Sequence, residues 1–295
     1  MSSHTYMPRR TGRQRFEASL LRWIQIASVA IVALVVISPL LMLLVASLKD
    51  DRFQIIADMG SFRAFWVDNP SLNNFVEIGG LSGTLPFGRY VLNSLVILAG
   101  TVGFGILVNS MAGFVLAWGS LPIRGLILSG IIGLYIVPQE TIMMPLLLVV
   151  SRMGLSDTLT AQILPWVASP LYTFLFFQFF AQLPKDLFEA AMMDGASFFR
   201  TYRSVFVPLS LPAVATVAIL MGIESWNQYL WPVLISQSND SRPITVAIGS
   251  FFEQSDIYWD QAMAASLLMM LPILAVYLAF QRWFVSSFIG SAVKG

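Results

Sequence analysis

The sequence predicts an all-α integral membrane protein with six transmembrane helices and with both termini in the cytoplasm. Hydrophobic residues make up 57% of the 295 positions and charged residues only 11%, whereas soluble proteins carry about 25% charged residues. The apolar residues form long uncharged runs that shorter polar connections separate. Basic residues are concentrated in every second connection, and this asymmetry predicts the orientation of the chain in the membrane.

The first apolar run predicts an uncleaved membrane anchor. Residues 1–22 form a polar arm that carries five arginines and one glutamate. Residues 23–48 follow without a single charge, and this run is far longer than the apolar core of about 7–15 residues in a secretory signal. It is long enough to cross a bilayer as a helix.

The remaining spans complete one membrane domain, which we place at residues 23–284. A short tail of residues 285–295 follows it. The five further spans are predicted at residues 90–118, 125–137, 159–182, 209–235 and 261–280.

The distribution of charge predicts which connections face the cytoplasm. Six spans place both termini on one side, together with the turn at 119–124 and the central loop at 184–208. That side then carries 11 of the 17 basic residues and four of the 16 acidic residues. Because positively charged connections stay in the cytoplasm, the central loop is predicted to be cytoplasmic and residues 236–260 to form an outer loop.

The central loop at 184–208 is predicted to be two short helices joined at a glycine. Pro184 stands where a first-turn proline needs no amide hydrogen, Gly195 suits the left-handed conformation that ends a helix, and Ser197 suits the cap of a second helix. Four positions leave almost no side-chain bulk, so that a partner can approach closely: Ala190, Ala191, Gly195 and Ala196. An ordinary amphipathic connector would share these local features, and only the spacing distinguishes the two interpretations.

That spacing resembles the EAA signature of the permeases of binding-protein-dependent ABC importers. The matching positions are Glu189, Ala190, Ala191, Gly195 and, after nine more residues, the run from Val205 to Pro208. Two valines replace the isoleucine and the leucine of the signature, and Asp194 fits its usual Asp-Gly-Ala run. The resemblance implies a coupling helix that docks into a cleft on a cytoplasmic ATPase subunit. Glu189 and Asp194 would then supply polar contacts and Gly195 the bend.

The likeness extends over roughly residues 20–295. Asn93-Ser94, the run at 226–232 and the closing run at 290–295 are similar to the carbohydrate-uptake, maltose-type subfamily, and the chain resembles the shorter of its two permease subunits. The resemblance implies the ABC type I importer permease fold in a bacterial or archaeal cell (inner) membrane. It also implies three partners: a second homologous permease, a dimer of cytoplasmic ABC ATPase subunits and an extracytoplasmic solute-binding protein.

Several kinds of enzyme chemistry are excluded. The chain has no cysteine, and its single histidine, His4, lies in the polar arm, which excludes thiolate sites, a buried triad and a histidine metal site. A P-loop needs a glycine before its lysine, but the three lysines follow Leu48, Pro184 and Val293. We expect no catalytic residue, metal or cofactor in this chain, so that ATP and Mg²⁺ belong to a separate ATPase. Membrane topology explains the basic arm without a nucleic acid.

Four residues are candidates for the solute path: Glu140, Glu224, Asn227 and Tyr229. A charge at the centre of a span costs about 2.5–3.5 kcal/mol on insertion scales, so carboxylates there are functional candidates. Glu140 is equally explained by a place at the outer interface, and Glu224 either pairs with a partner helix or lines the path. Asn227 and Tyr229 offer the amide groups and flat face that a sugar requires, but aromatic residues also mark the membrane interface.

The outer loop supplies a separate hypothesis. The resemblance implies that Arg242, Phe251 and Glu253 contact the solute-binding protein and help to displace its solute. Deleting residues 244–254 is then expected to leave assembly intact and to abolish uptake.

These features predict a transmembrane permease subunit of an ATP-driven ABC importer, which translocates a sugar or an oligosaccharide by alternating access. A permease for glycerol phosphate or another polyol is the alternative within this class. Outside it, one alternative is a secondary transporter with Glu140 or Glu224 as its proton site, and another is a membrane scaffold without solute flux. The EAA spacing argues against both.

Overall fold

The computed structural model describes residues 12–79, 86–252 and 258–292, and in these ranges it is helical without any strand. This agrees with the predicted all-α class. Helices are expected because a chain in lipid has to satisfy its backbone hydrogen bonds within its own segments. The described helices are numbered α1 to α15 in chain order.

The first helix, α1 (Gly12–Ser47), begins inside the predicted polar arm and ends at the predicted boundary. A short segment then folds back on its end as α2 (Arg52–Asp58), a 3₁₀ turn (Phe62–Phe65) and α3 (Asn73–Ile78). Lys49 holds this segment in place, because its buried Nζ lies 2.7 Å from a carboxylate oxygen of Asp58. The amide of Asn74 closes the end of α1 by donating to the carbonyls of Ser47 and Lys49.

The second long helix, α4 (Phe87–Trp118), is the central element of the bundle. It packs against α7 (Leu159–Val167), α8 (Pro170–Ala181) and α12 (Leu211–Asn227). Gly113 permits the closest approach to α8, since a Cβ at this position would lie 2.7 Å from Cβ of Phe176 and 2.8 Å from the amide nitrogen of Phe177.

The predicted third and fourth spans are each part of a bent helix pair. A bend of 99° separates α5 (Arg124–Ile136) from α6 (Gln139–Arg152), and one of 43° separates α7 from α8. The sequence predicted a third span at 125–137 followed by an irregular proline-containing stretch, whereas the structure continues that stretch as α6. Pro138 explains the bend, because a proline disfavours helical geometry in the residue before it and here stands at the N-cap of α6.

Asn109 bridges the break between α7 and α8. Its Nδ2 donates to the carbonyl of Val167 at 2.8 Å, and its Oδ1 accepts from the amide of Ser169 at 2.9 Å and from the hydroxyl of Thr173 at 2.7 Å. Nδ2 also donates to the carbonyl of Gly105 on α4. The side chain is fully buried, so it satisfies backbone groups that the break would leave without partners.

The central loop contains α9 (Lys185–Met193), α10 (Phe198–Thr201), a π-helical turn (Tyr202–Phe206) and α11 (Val207–Leu209). The segment Phe198–Leu209 meets α12 at 77°. The predicted single span at 209–235 is interrupted after Asn227, and α13 (Leu230–Ile235) begins three residues later. The break between α12 and α13 was not predicted.

The outer loop at 236–260 is largely a buried part of the fold. It contains α14 (Ile244–Ser250), which packs against α4 and α15 (Trp259–Ala292). The helix α15 runs past the predicted end of the last span at residue 280. Asn93 and Ser94 of α4 hold the loop, because the amide of Asn93 donates to the carbonyl of Arg242 and the hydroxyl of Ser94 accepts from the amide of Ile244.

By length and composition, two helical stretches within the described ranges can cross a membrane alone: Leu20–Ser47 of α1 and all of α4. The number rises to five if each bent pair forms one span. The apolar part of α15, Trp259–Ala275, is a shorter candidate.

Candidate functional site

The central loop has the predicted helix-glycine-helix geometry. α9 ends in a Schellman motif, in which the amide of Ala196 donates to the carbonyl of Ala191 and that of Gly195 to the carbonyl of Met192. Gly195 has a φ of +78°, a value that suits glycine and strains most other residues. The hydroxyl of Ser197 accepts from the amide of Arg200 and so caps α10. Both local predictions, the left-handed Gly195 and the capping Ser197, are confirmed.

The loop presents the predicted docking residues at its surface. Glu189, Ala190, Asp194 and Gly195 are exposed, Ala191 and Ala196 are partly buried, and Pro208 is exposed within α11. Sequence reasoning missed the apolar tip of the loop, where Met193 is 87% exposed and Phe199 57% exposed. The run Met192-Met193, which lies between Ala191 and Gly195 in the sequence, could have indicated this apolar tip. The surface therefore combines small, acidic and large apolar groups.

An aromatic cluster connects this loop to the bundle. Phe188 of α9 stacks on Trp118 at the end of α4, with ring centroids 5.1 Å apart and ring planes 14° apart. Phe206 of the π-helical turn contacts both rings. The hydroxyl of Tyr202 lies 2.7 Å from the hydroxyl of Ser110 on α4. A displacement of α9 is thus linked to α4 through packed rings rather than through a flexible connection.

A second candidate site surrounds Glu224 on α12. One of its carboxylate oxygens accepts from the hydroxyl of Tyr172 on α8 at 2.7 Å, and the other accepts from the amide of Gln139 on α6 at 3.2 Å. Tyr172 is 3% exposed, whereas Glu224 and Gln139 lie at the surface of the single chain. Among the described residues Glu224 has no ion pair, so neutral donors alone hold its carboxylate.

The other predicted path residues lie near the same helix breaks. Glu140 is exposed in the first turn of α6, next to Gln139. Asn227 ends α12, and its amide donates to the carbonyl of Ile223 in the same helix. Tyr229 stands in the break after α12, and its ring packs on Gly249, where a Cβ would lie 2.8 Å from the tyrosine hydroxyl. The sequence indicated Glu224 but neither of its hydrogen-bonding partners, Gln139 and Tyr172.

The three predicted contacts of the outer loop have different positions. Arg242 is partly buried, and its carbonyl is bound to Asn93. Phe251 is 1% exposed and belongs to the core that α4, α14 and α15 share, so this conformation gives it a packing role and no accessible surface for a partner. Glu253 lies outside the described residues. Contact of this loop with a binding protein stays a prediction.

Asp157 fixes the start of the same loop to the segment before α7. One carboxylate oxygen accepts from the amides of Gln237 and Ser238, at 2.8 Å and 3.0 Å, and from the hydroxyl of Ser241. Burial by itself would raise the pKa of Asp157, but these hydrogen bonds outweigh it and hold the pKa well below the usual range of an aspartate. The carboxylate therefore anchors the start of the loop at 236–260 as a charged group.

The bent helix pairs, the exposed glycine loop and the carboxylate at the helix breaks together define a helical membrane permease. Comparison with known proteins identifies its family. The chain belongs to the family described as binding-protein-dependent transport system inner membrane components, which matches residues 105–290. The match includes the central loop, the surroundings of Glu224 and the loop at 236–260.

Two characterised relatives cover most of the chain. The arabinooligosaccharide transport system permease AraQ of Halalkalibacterium halodurans is 30% identical, over 96% of this chain and 100% of the relative. The sn-glycerol-3-phosphate transport system permease UgpE of Pectobacterium atrosepticum is 39% identical, over 72% of this chain and 76% of the relative. This chain is accordingly an inner-membrane permease subunit of an ABC importer, a transport subunit rather than a catalytic one.

A solved structure shares the fold. A bacterial ABC transporter involved in the import of the acidic polysaccharide alginate contains a chain that matches with a TM-score of 0.77 and 19% identity, over 94% of this chain and 100% of the other. The predicted importer permease fold is confirmed at this level.

Proposed function

We propose that this chain is one of two homologous transmembrane subunits of an importer for a neutral sugar or oligosaccharide. The observation that carries the proposal is the cytoplasmic loop, which exposes its acidic, small and apolar residues while aromatic packing joins it to α4. Such a loop is suited to bind a cytoplasmic partner and to transmit that partner's movement to the bundle. The family membership supplies the class of partner.

The proposed topology has six spans with both termini in the cytoplasm. It counts α1, α4, the bent pair α5–α6, the bent pair α7–α8, α12 together with α13, and α15 as one span each. The excess of basic residues on the side of the arm and the central loop supports this orientation. The short helices before α4 and the loop around α14 then lie on the outer side.

A dimer of ABC ATPase subunits is proposed to bind the cytoplasmic loop and to use ATP and Mg²⁺ there. Glu189 and Asp194 would supply polar contacts, Ala190 and Ala191 close packing, and Met193 and Phe199 apolar anchors. Closure of the ATPase dimer would pull α9 and, through the stack of Phe188 on Trp118, move α4. Alternating access follows if this movement turns the bent spans outward.

The solute is proposed to be neutral because of Glu224. The names of the two relatives include a neutral class, arabinooligosaccharides, and an anion, sn-glycerol-3-phosphate. A carboxylate held only by neutral donors repels a phosphate but accepts hydrogen bonds from sugar hydroxyls. Glu140, Asn227 and Tyr229 are proposed to line the same path. Broken spans support this assignment, because transporters commonly place their binding sites at such interruptions.

The outer loop is proposed to face the solute-binding protein. Deletion of residues 244–254 no longer tests this idea cleanly, because Ile244, Ala247, Ile248 and Phe251 belong to the core. Replacing residues 253–257 with glycine and serine leaves those four core residues unchanged. Loss of uptake with normal assembly would support the contact, and normal uptake would exclude it.

The decisive experiment is purification of the tagged chain in mild detergent, followed by mass spectrometry and by uptake assays in proteoliposomes. We expect a P-loop ATPase and a second permease to copurify, and uptake of labelled neutral oligosaccharide to require ATP. Uptake of sn-glycerol-3-phosphate instead would keep the importer class and overturn the neutral solute. Uptake by this chain alone that a protonophore abolishes would identify the secondary transporter instead.

A further inference from the structure

The segment between α1 and α4 exposes several large apolar side chains beside a buried ion pair. Its buried positions include Ile55, Ala64 and the charged Asp58, which pairs with Lys49. Six large apolar side chains are exposed, Phe53, Ile56, Met59, Phe62, Phe65 and Trp66, together with the polar Gln54, Ser61 and Arg63. Phe62 is 94% exposed and Trp66 68% exposed. An apolar face of this size on a rigid segment indicates a partner that shields it from water.

The position of the segment identifies that partner. Lys49 is the first charge after the uncharged run of α1, so it marks the end of the apolar span. Its Nζ binds both Asp58 of α2 and, at 3.1 Å, the carbonyl of Arg63 in the 3₁₀ turn. The 3₁₀ turn also packs against α1. The apolar face is therefore held against the C-terminal end of α1.

The apolar face is also continuous with the exposed surface of α1. Along Leu20–Ser47 the most hydrophobic stretch has none of its residues buried inside the chain. The residues near the end of α1 remain exposed, including Leu41 and Leu44.

The chemistry of the face fits the interfacial layer of a bilayer. Tryptophan is enriched at membrane–water interfaces because it combines an apolar ring with a polar tip. The indole Nε1 of Trp66 donates to a carboxylate oxygen of Asp68 at 3.0 Å, so its polar edge is already satisfied on the aqueous side. The guanidinium of Arg52 lies 5.1 Å from the ring centroids of Phe53 and of Tyr258. A basic group therefore lies next to the exposed apolar residues.

We propose that Phe53 to Trp66 form an interfacial anchor, whose apolar side chains enter the headgroup region of the leaflet at the C-terminal end of α1. The anchor fixes the depth of that end while the bent spans move during transport. The role of the anchor during transport rests on the proposed function. Its binding to lipid does not, because that binding is independent of the solute and the ATPase that the transporter uses.

The absence of cysteine from the chain permits a direct test. Phe62→Cys, Trp66→Cys and the control Asn69→Cys are each labelled with a nitroxide in the intact transporter in nanodiscs. Phe62 and Asn69 are both exposed, so a label at either position replaces no core packing. Electron paramagnetic resonance then measures collision of the label with oxygen, which concentrates in lipid, and with a water-soluble nickel chelate.

We expect the labels at 62 and 66 to collide several-fold more with oxygen than with the nickel chelate, relative to the label at 69. Equal nickel accessibility at all three positions would show a water-exposed face and overturn the anchor. Protection of positions 62 and 66 from both reagents, with an immobilised label, would show a protein partner in place of lipid and would also overturn it. Reduced uptake by a labelled variant does not enter this decision.

Discussion

The ring of Phe188 lies flat against the indole of Trp118, with ring centroids 5.1 Å apart and an angle of 14° between the planes. One ring belongs to α9 of the central loop, and the other ends the central helix α4. The indole Nε1 of Trp118 also donates to the carbonyl of Phe180 on α8. A single aromatic pair thus links the proposed docking helix to two helices of the bundle.

Replacing Phe188 with alanine is expected to weaken coupling between ATP hydrolysis and uptake. Aromatic pairs contribute about 0.5–1.5 kcal/mol beyond the area that they bury, and about 1 kcal/mol corresponds to a fivefold change in an equilibrium between two conformations. We expect the ATPase to copurify as with wild type, and the solute transported per ATP to fall about fivefold. Parallel assays of hydrolysis and uptake in proteoliposomes measure this ratio.

The matched control for that experiment is Phe199→Ala. Phe199 lies in the same loop but is exposed and contacts only Tyr202 among aromatic rings of the described residues. We expect this variant to reduce copurification of the ATPase instead, because it removes a proposed anchor. An unchanged ratio of transport to hydrolysis in Phe188→Ala would exclude the stack from coupling.

Gly195 provides a test that separates backbone conformation from side-chain bulk. Its φ of +78° is unfavourable for residues with a Cβ, yet a Cβ there would meet no atom within 4 Å. Non-glycine residues in this region cost about 1–2 kcal/mol, whereas asparagine visits it more readily. We expect Gly195→Ala to lower uptake and copurification of the ATPase more than Gly195→Asn does.

Gly130→Ala is the control for Gly195, since Gly130 lies within α5 and its Cβ would also meet open space. Alanine in a helix is favoured over glycine by about 1 kcal/mol, so this variant should retain uptake. If Gly195→Asn lost uptake as fully as Gly195→Ala, the backbone conformation would not be the reason why position 195 requires glycine. Close contact with the ATPase, which excludes any side chain, would be the reason instead.

Local features of the cytoplasmic loop were predictable because the residues that form it are neighbours in sequence. Gly195 and Ser197 end one helix and cap the next through bonds that span only a few residues. The uncharged run of α1 was likewise evident from composition, since crossing a membrane depends on length and apolar character.

The contacts of the outer loop were not predictable from its composition. Serines, asparagines and charged residues suggested a surface segment, but Ser94 and Asn93 bind it from positions about 150 residues away in the chain. The same limit applies to Glu224, whose partners Tyr172 and Gln139 are 52 and 85 residues distant. Periodicity and spacing contain no information about such pairs.

Asn109→Ala is expected to destabilise the bundle at the break between α7 and α8. It leaves the amide of Ser169 and the carbonyl of Val167 without their partner, and each unsatisfied buried group costs about 1–3 kcal/mol. We expect a clear decrease in the thermal unfolding midpoint, read from tryptophan fluorescence in nanodiscs. Asn227→Ala is the control, because that exposed amide binds only a carbonyl of its own helix. Equal midpoints for the two variants would argue against the bridge.

Asp157 gives a prediction that depends on pH. Its φ of +60° suits asparagine as well as aspartate, and asparagine keeps an oxygen that accepts the same three hydrogen bonds. Asp157→Asn should therefore cost less stability at pH 7 than Asp157→Ala, which loses all three bonds and keeps a strained backbone.

The direction of the pH effect follows from the lowered pKa of the Asp157 carboxyl. The stability that this carboxylate contributes is fully present above its unfolded pKa of about 3.9, and it is lost as the pH falls from there toward the lower folded value. Between pH 5 and 8 the difference between wild type and Asp157→Asn should therefore be constant. Below pH 4 the wild type should lose stability faster, because asparagine does not titrate, and the two unfolding midpoints should converge. Midpoints that stayed parallel down to pH 3 would show that the charge of Asp157 does not stabilise the outer loop.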